Sequence, residues 1–220
     1  MAKLYVIATP IGNLEDITLR ALRILKEVDL IACEDTRRTG ILLQHYNIKK
    51  PLISYHQHSK LQKVDSIIAE LKSGQNIALV TDAGTPGISD PGGVLIEKAI
   101  KNKIEVEPIP GPSSFAAVLS VAGFYLDKFL YLGFLPKKKG KQTLLKKIAA
   151  SEVPVVIFES PHRITATLKA IQDTAGDREV VIGRELTKKF QEILRGKISQ
   201  ILPAIRAQGE FVIIINSKRM

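Results

Sequence analysis

The sequence predicts an α/β fold made of two α/β domains. Short apolar runs alternate with segments of helical apolar spacing along most of the chain. Loops rich in glycine and proline recur where the apolar runs end. Near the C-terminus two strand-like runs follow one another with no helix between them, which points to a mixed second sheet. The chain has 220 residues, enough for two small domains that each bury a core. The expected division is residues 1–122 and 123–220.

Taken in order, residues 3–8 read as a strand that ends in Thr9-Pro10-Ile11-Gly12-Asn13. Leu22, Leu25 and Val28 have helical spacing, and Leu30-Ile31-Ala32-Cys33 is a short buried strand. Asp35 or Thr36 can cap a helix running to about Tyr46. Residues 52–55 form a strand, and His56 and His58 mark its exit and the start of a helix whose stop signal is Gly74. Ile77-Ala78-Leu79-Val80 then leads into Thr81-Asp82-Ala83-Gly84-Thr85-Pro86-Gly87-Ile88-Ser89-Asp90. Asp90 is a suitable N-cap for the following helix. Gly84 and Gly87 either let a ligand approach the backbone or simply punctuate a βα turn, and the loop alone does not choose. Residues 104–108 form a strand leading into Pro110-Gly111-Pro112-Ser113-Ser114, and Phe115 to Val121 reads as a helix.

In the second half, residues 129–134 and 153–158 read as strands separated by a helix. Ile164, Leu168 and Ile171 mark another helix. Residues 180–184 and 190–195 form paired strands, a last helix follows, and residues 211–215 form a final strand. Open parallel sheets bind ligands beyond the carboxyl ends of their strands. Pro10–Asn13, Glu34–Arg38, Thr81–Asp90 and Pro110–Ser114 all lie at such ends.

Charge narrows the partner. The formal net charge is +10, which favours a polyanion, nucleic acid first. Lys137, Lys138, Lys139 and Lys141 form the densest basic segment, and its alternative is a solvated linker. The single cysteine excludes an intramolecular disulfide and a cysteine zinc cluster, and no metal is expected. No apolar run is long enough for a membrane span. The N-terminus does not read as a signal peptide, so a cytoplasmic protein is expected. There is no nucleophile elbow, lysine-ended phosphate loop or H-E-x-x-H motif. Glu34, Asp35, Glu159 and His162 sit at strand ends as candidate bases. Carboxylates there also serve as helix caps and ion pairs. Arg37, Arg38 and Arg163 have the side-chain geometry to grip phosphate.

Read together, these motifs resemble one family. They include Thr9-Pro10-Ile11-Gly12-Asn13-Leu14-Glu15-Asp16, Glu34-Asp35-Thr36-Arg37, Asp82-Ala83-Gly84-Thr85-Pro86-Gly87, Pro110-Gly111-Pro112-Ser113, Gly133-Phe134-Leu135-Pro136, Glu159-Ser160-Pro161-His162-Arg163 and Arg184-Glu185-Leu186-Thr187-Lys188. The chain resembles the bacterial 16S rRNA cytidine 2′-O-methyltransferases of the small-subunit methyltransferase I type, within the tetrapyrrole methylase superfamily. The resemblance implies two α/β domains with S-adenosylmethionine in the cleft between them. It also implies a homodimer acting on the decoding region of 16S rRNA in the small ribosomal subunit. It assigns cofactor contacts to Pro10, Ala83, Gly84, Thr85, Ile88, Ser113, Ser114, Phe158 and Leu186. Thr85 replaces an aspartate of the superfamily loop, and Asp82 is expected to supply the missing charge. Arg37, Arg38, Arg163 and the lysines at 137, 138, 139 and 141 are expected to hold RNA. Two other readings remain at this stage. One is a methyltransferase of the same fold acting on a tetrapyrrole precursor or a protein side chain, and the other is an RNA-binding module without catalysis.

Overall fold

The structure, a computed structural model, describes residues 2–55 and 61–217. His56 and His58 lie outside the described residues. Contacts divide the chain into two compact units, Met1–Ser113 and Ser114–Met220.

In the first unit, β1 (Lys3–Ile7), β2 (Leu30–Cys33), β3 (Leu52–Ser54), β4 (Ile77–Leu79) and β5 (Glu105–Ile109) form one parallel sheet. The order is β3-β2-β4-β1-β5. Helices α1 (Leu19–Glu27), α2 (Thr36–His45), α3 (Leu61–Lys72) and α4 (Gly92–Lys101) are the crossovers. Strand alternation sends neighbouring side chains to opposite faces. Ile7, Ile31 and Ala78 meet Ala21, Ile24 and Leu25 of α1 and Leu42 and Leu43 of α2. Leu4, Ala32, Ile77 and Leu79 meet Val64, Ile67, Ile68 and Leu71 of α3 and Leu95 and Ala99 of α4. Each fully buried leucine or isoleucine of this kind contributes about 1.5–3 kcal/mol. α1 starts at Leu19, with the Thr18 hydroxyl accepting from the Ala21 amide at 3.1 Å. α4 begins one residue later than expected. Its first flanking residue is Pro91, while Asp90 Oδ1 accepts from the Gly87 and Gly92 amides at 2.7 and 2.8 Å. Asp90 therefore ties the loop to the helix start.

The second unit begins with α5 (Ser114–Ser120) and continues through β6 (Leu130–Phe134), α6 (Lys141–Ala150), β7 (Val155–Glu159) and α7 (Ile164–Ala175). It then runs through β8 (Glu179–Arg184), β9 (Glu192–Lys197), α8 (Ile198–Ile201) and β10 (Phe211–Ile215). The sheet order is β6-β7-β10-β8-β9, with β6 and β7 parallel and the other pairs antiparallel. The sheet is mixed, as the adjacent strand-like runs predict. β9 starts two residues later than expected, which leaves Phe190 in the connection. The central strand β10 is buried along its whole length. Ile213 and Ile215 pack with Leu145 and Ile148 of α6 and Ile164, Leu168 and Ile171 of α7.

α5 lies against β8 and β10, so it falls in the second unit, whereas the boundary expected at 122/123 puts it in the first. Gly183 explains the approach. A Cβ built there would stand 2.3 Å from Val118 Cγ2, so only glycine lets α5 settle on this strand.

Candidate active site

The carboxyl ends of β2 and β4 are neighbours because the two strands pair in parallel, Ala32 against Leu79. Continuing each strand by two residues brings Glu34 beside Thr81. The Thr81 hydroxyl donates to Glu34 Oε2 at 2.9 Å. The Asp35 amide donates to Asp82 Oδ1 at 3.0 Å. Arg38 pairs with Asp82 Oδ2 at 3.3 Å. Three carboxylates thus gather on one ridge, at Glu34, Asp35 and Asp82.

Their environments differ. Asp35 caps α2, accepting from the Arg37 amide at 2.8 Å, and its other oxygen pairs with the Arg37 guanidinium at 2.7 Å. Hydrogen bonds from Arg37 hold its carboxyl down at about 2. Burial, followed by the neighbouring Glu34 charge, pushes Asp82 up despite the Arg38 guanidinium. Glu34 has one oxygen fixed by Thr81 and is half-buried. A half-buried pair of carboxylates with one member raised is an arrangement suited to accepting a proton.

Next to this ridge runs the glycine loop. Thr9 and Gly84 exchange two backbone hydrogen bonds, each 2.9 Å, in an isolated antiparallel bridge. The Thr9 hydroxyl donates to the Thr81 carbonyl at 3.0 Å, and the Thr85 hydroxyl donates to the Pro112 carbonyl at 3.1 Å. Three strand-end segments are therefore stitched together. Gly84 has φ 83°, a conformation that side chains with a Cβ resist. Thr85 is spent on Pro112 and does not replace an aspartate's charge. Ala83 and Ile88 are exposed, and Pro10 and Ser113 are half-buried.

In the second unit the predicted residues have other partners. Glu159 is buried, and its carboxylate accepts from the Thr167 hydroxyl at 2.7 Å, from Arg163 at 3.1 Å and from the Ser160 amide at 2.8 Å. Arg163 also donates to the Leu135 carbonyl at 2.5 Å. Both side chains are thus turned inward, where a base or a phosphate contact would need an open face. His162 is exposed. Ser114 is half-buried at the start of α5, and Leu186 is buried, with its methyls by Gly183. Phe158 belongs to an aromatic row in which Tyr131 and Phe134 each lie 5.5 Å from it, centroid to centroid. Lys137, Lys138 and Lys139 are exposed, and Lys141 opens α6.

Sequence reasoning missed Thr9 and Thr81, whose hydroxyls link the loops. A polar residue closing an otherwise apolar strand was the available signal. It also missed Thr187, whose buried hydroxyl has no partner among the described residues. Among the described residues, no helix is long and apolar enough to cross a membrane.

Comparison with known proteins bears on the family and the fold. The chain is 46% identical over 221 residues to a protein of Thermotoga maritima named ribosomal RNA small subunit methyltransferase I, covering 99% of this chain and 100% of that one. A protein of the same name from Escherichia coli O157:H7 is 45% identical, over 99% of this chain and 78% of its own length. A crystal structure of diphthine synthase has the same fold, with a TM-score of 0.79 at 12% identity, covering 100% of this chain and 91% of that one. Residues 3–202 match the tetrapyrrole (corrin/porphyrin) methylases. The chain belongs to that methyltransferase family.

Proposed function

We propose that the protein transfers a methyl group from S-adenosylmethionine to the ribose 2′-hydroxyl of a cytidine in the decoding region of 16S rRNA. The observation that carries this reading is likeness along 99% of this chain to relatives named as ribosomal RNA small subunit methyltransferase I. The net charge of +10 and the exposed Lys137–Lys139 segment support an RNA acceptor over a tetrapyrrole. A cytoplasmic homodimer, as the resemblance implies, belongs to the same proposal.

The residues at the strand ends of the first unit fit the cofactor. Its sulfonium and ammonium are cationic, and the ridge of Glu34, Asp35 and Asp82 is acidic. Ala83 and the apolar Ile88 are exposed in the loop beside that ridge, and Gly84 is buried between them. When bound, the cofactor supplies an electrophilic methyl carbon with its leaving group already attached.

The protein's task is then to align the acceptor, exclude water and take a proton. As the ribose oxygen bonds to the methyl carbon and the carbon–sulfur bond breaks, the hydroxyl proton must leave. Glu34 is the base in this proposal. Asp35 is committed to Arg37 and the α2 cap, and Glu159 is saturated inside the second unit. Asp82 stands beside Glu34, and burial, followed by the Glu34 charge, pushes the Asp82 carboxyl up. Arg38 and the lysines at 137, 138, 139 and 141 hold phosphate.

The test is methylation of small subunits that lack the modification, using labelled cofactor, with the labelled nucleotide identified after digestion. Label on a cytidine 2′-oxygen is the expected result. Cofactor binding without label in RNA, but with label on a tetrapyrrole or protein, would sink the reading.

A further inference from the structure

The connection between β8 and β9, residues 185–191, is held in an unrelaxed shape. Glu185 has φ 48° and Thr187 has φ 63°. The left-handed region is disfavoured for any residue with a Cβ, and most for a β-branched one. The Thr187 hydroxyl is also buried without a partner among the described residues.

Specific bonds hold the loop. Glu185 Oε1 accepts from Lys188 Nζ at 2.9 Å and from the Glu210 amide at 3.0 Å. Gln191 Oε1 accepts from the Thr187 amide at 2.5 Å. Strain that surrounding bonds enforce marks a place where the chain's shape serves something other than stability.

The loop holds out Phe190, which is 64% exposed. Lys189 Nζ lies over its ring, 5.7 Å from the centroid. A large aromatic ring kept in water by a rigid loop adds little to the core. With a cation over the ring, the exposed remainder of Phe190 offers aromatic surface to a flat partner.

We infer that Phe190 is a stacking platform for a base of single-stranded RNA, with Lys189 placed for the adjoining phosphate. This pairing of aromatic face and cation is how proteins grip unpaired strands. The chain's positive charge suits such a strand, and the loop's fixed shape removes the ordering cost of binding. The inference rests on the proposed RNA acceptor and adds a second RNA contact, apart from the lysines at 137–141.

Binding of a fluorescein-labelled single-stranded RNA oligonucleotide by the full chain tests it, read by anisotropy across a salt series. Cofactor affinity is measured in parallel by calorimetry. Phe190→Ala should weaken RNA binding about tenfold, and Phe190→Tyr should restore it. Phe190→Leu, apolar but without a ring, should not. Lys189→Ala should flatten the salt slope by about 0.7. Cofactor affinity should stay unchanged throughout.

Wild-type binding that Phe190→Ala leaves intact overturns the platform alone. Full rescue by leucine overturns stacking. A change in oligomeric state of Phe190→Ala, with RNA binding unaltered, makes the ring a subunit contact and overturns it too. A wild-type protein that binds cofactor but neither binds nor methylates RNA overturns the acceptor itself, and the platform with it.

Discussion

The two sheets solve the same packing problem with opposite results for chemistry. The first is wholly parallel, so every strand ends at one edge and five connections crowd there. The second runs β10 and β9 against their neighbours, which spreads its strand ends over two edges. Carboxylates at the parallel edge meet one another and keep open faces. In the mixed unit, Glu159 is enclosed by its own helix, through Arg163 and Thr167. A strand-end acid is therefore available for chemistry only where neighbouring strand ends prevent it from being folded inward.

The largest expected effect separates the two acids. Glu34→Gln should lower methyl transfer by at least about 100-fold, the usual scale for a lost general base, well beyond the loss of cofactor affinity that calorimetry reads when one charge of the ridge is removed. Glu159→Gln should act on stability first, lowering the melting temperature of the second unit with little change in turnover per folded molecule. Equal losses of turnover at both positions would erase the distinction.

Next comes packing. Gly183→Ala forces a methyl into Val118, 2.3 Å away, and should cost about 1–3 kcal/mol. Thermal or denaturant unfolding checks it. Val118→Ala in the same chain should recover part of the loss, which ties α5 to the mixed sheet. A smaller gain is expected from Thr187→Gly. Removing a Cβ from φ 63° should raise stability by about 1 kcal/mol. The same change should weaken RNA binding if the loop's shape serves the ligand.

The smallest effect concerns acid. Asp35 titrates at about 2 in the folded chain against an ordinary 3.8. Its contribution is complete above 3.8 and disappears as pH falls toward 2. Asp35→Asn should therefore flatten that part of the acid-unfolding curve. Asp82 has the opposite sign. Its raised carboxyl favours the folded state at low pH, and this contribution declines as pH rises through the shifted value.

The fold was readable because its signals are local. Apolar runs at Leu30–Cys33 and Ile77–Val80, helical spacing between them, and Gly84 and Gly87 at the exit need only a few consecutive residues. The parallel first unit and the mixed second one followed from the order of those signals. The site was less legible because its decisive bonds join residues far apart in sequence, such as Thr81 to Glu34. Only strand order sets that pairing. The position of α5 shows the same limit. Gly123 reads as the end of a unit, yet Gly183, 60 residues further on, decides which sheet the helix joins. Glu159 is the instructive case. It ends β7, before α7 begins at Ile164, so helical spacing does not relate it to Arg163 and Thr167, and only the turn between strand and helix brings them to it.

The small bridge between Thr9 and Gly84 has a consequence for how the glycine loop can be watched in solution. Each amide donates one bond of the pair, so parting the two segments exposes both together. Deuterium should therefore enter the two positions with one common protection factor. That factor reports the opening of the stitched loops rather than of the sheet beneath. A ligand settling on the Gly84 segment should slow both protons by the same factor, even if it touches only one of them.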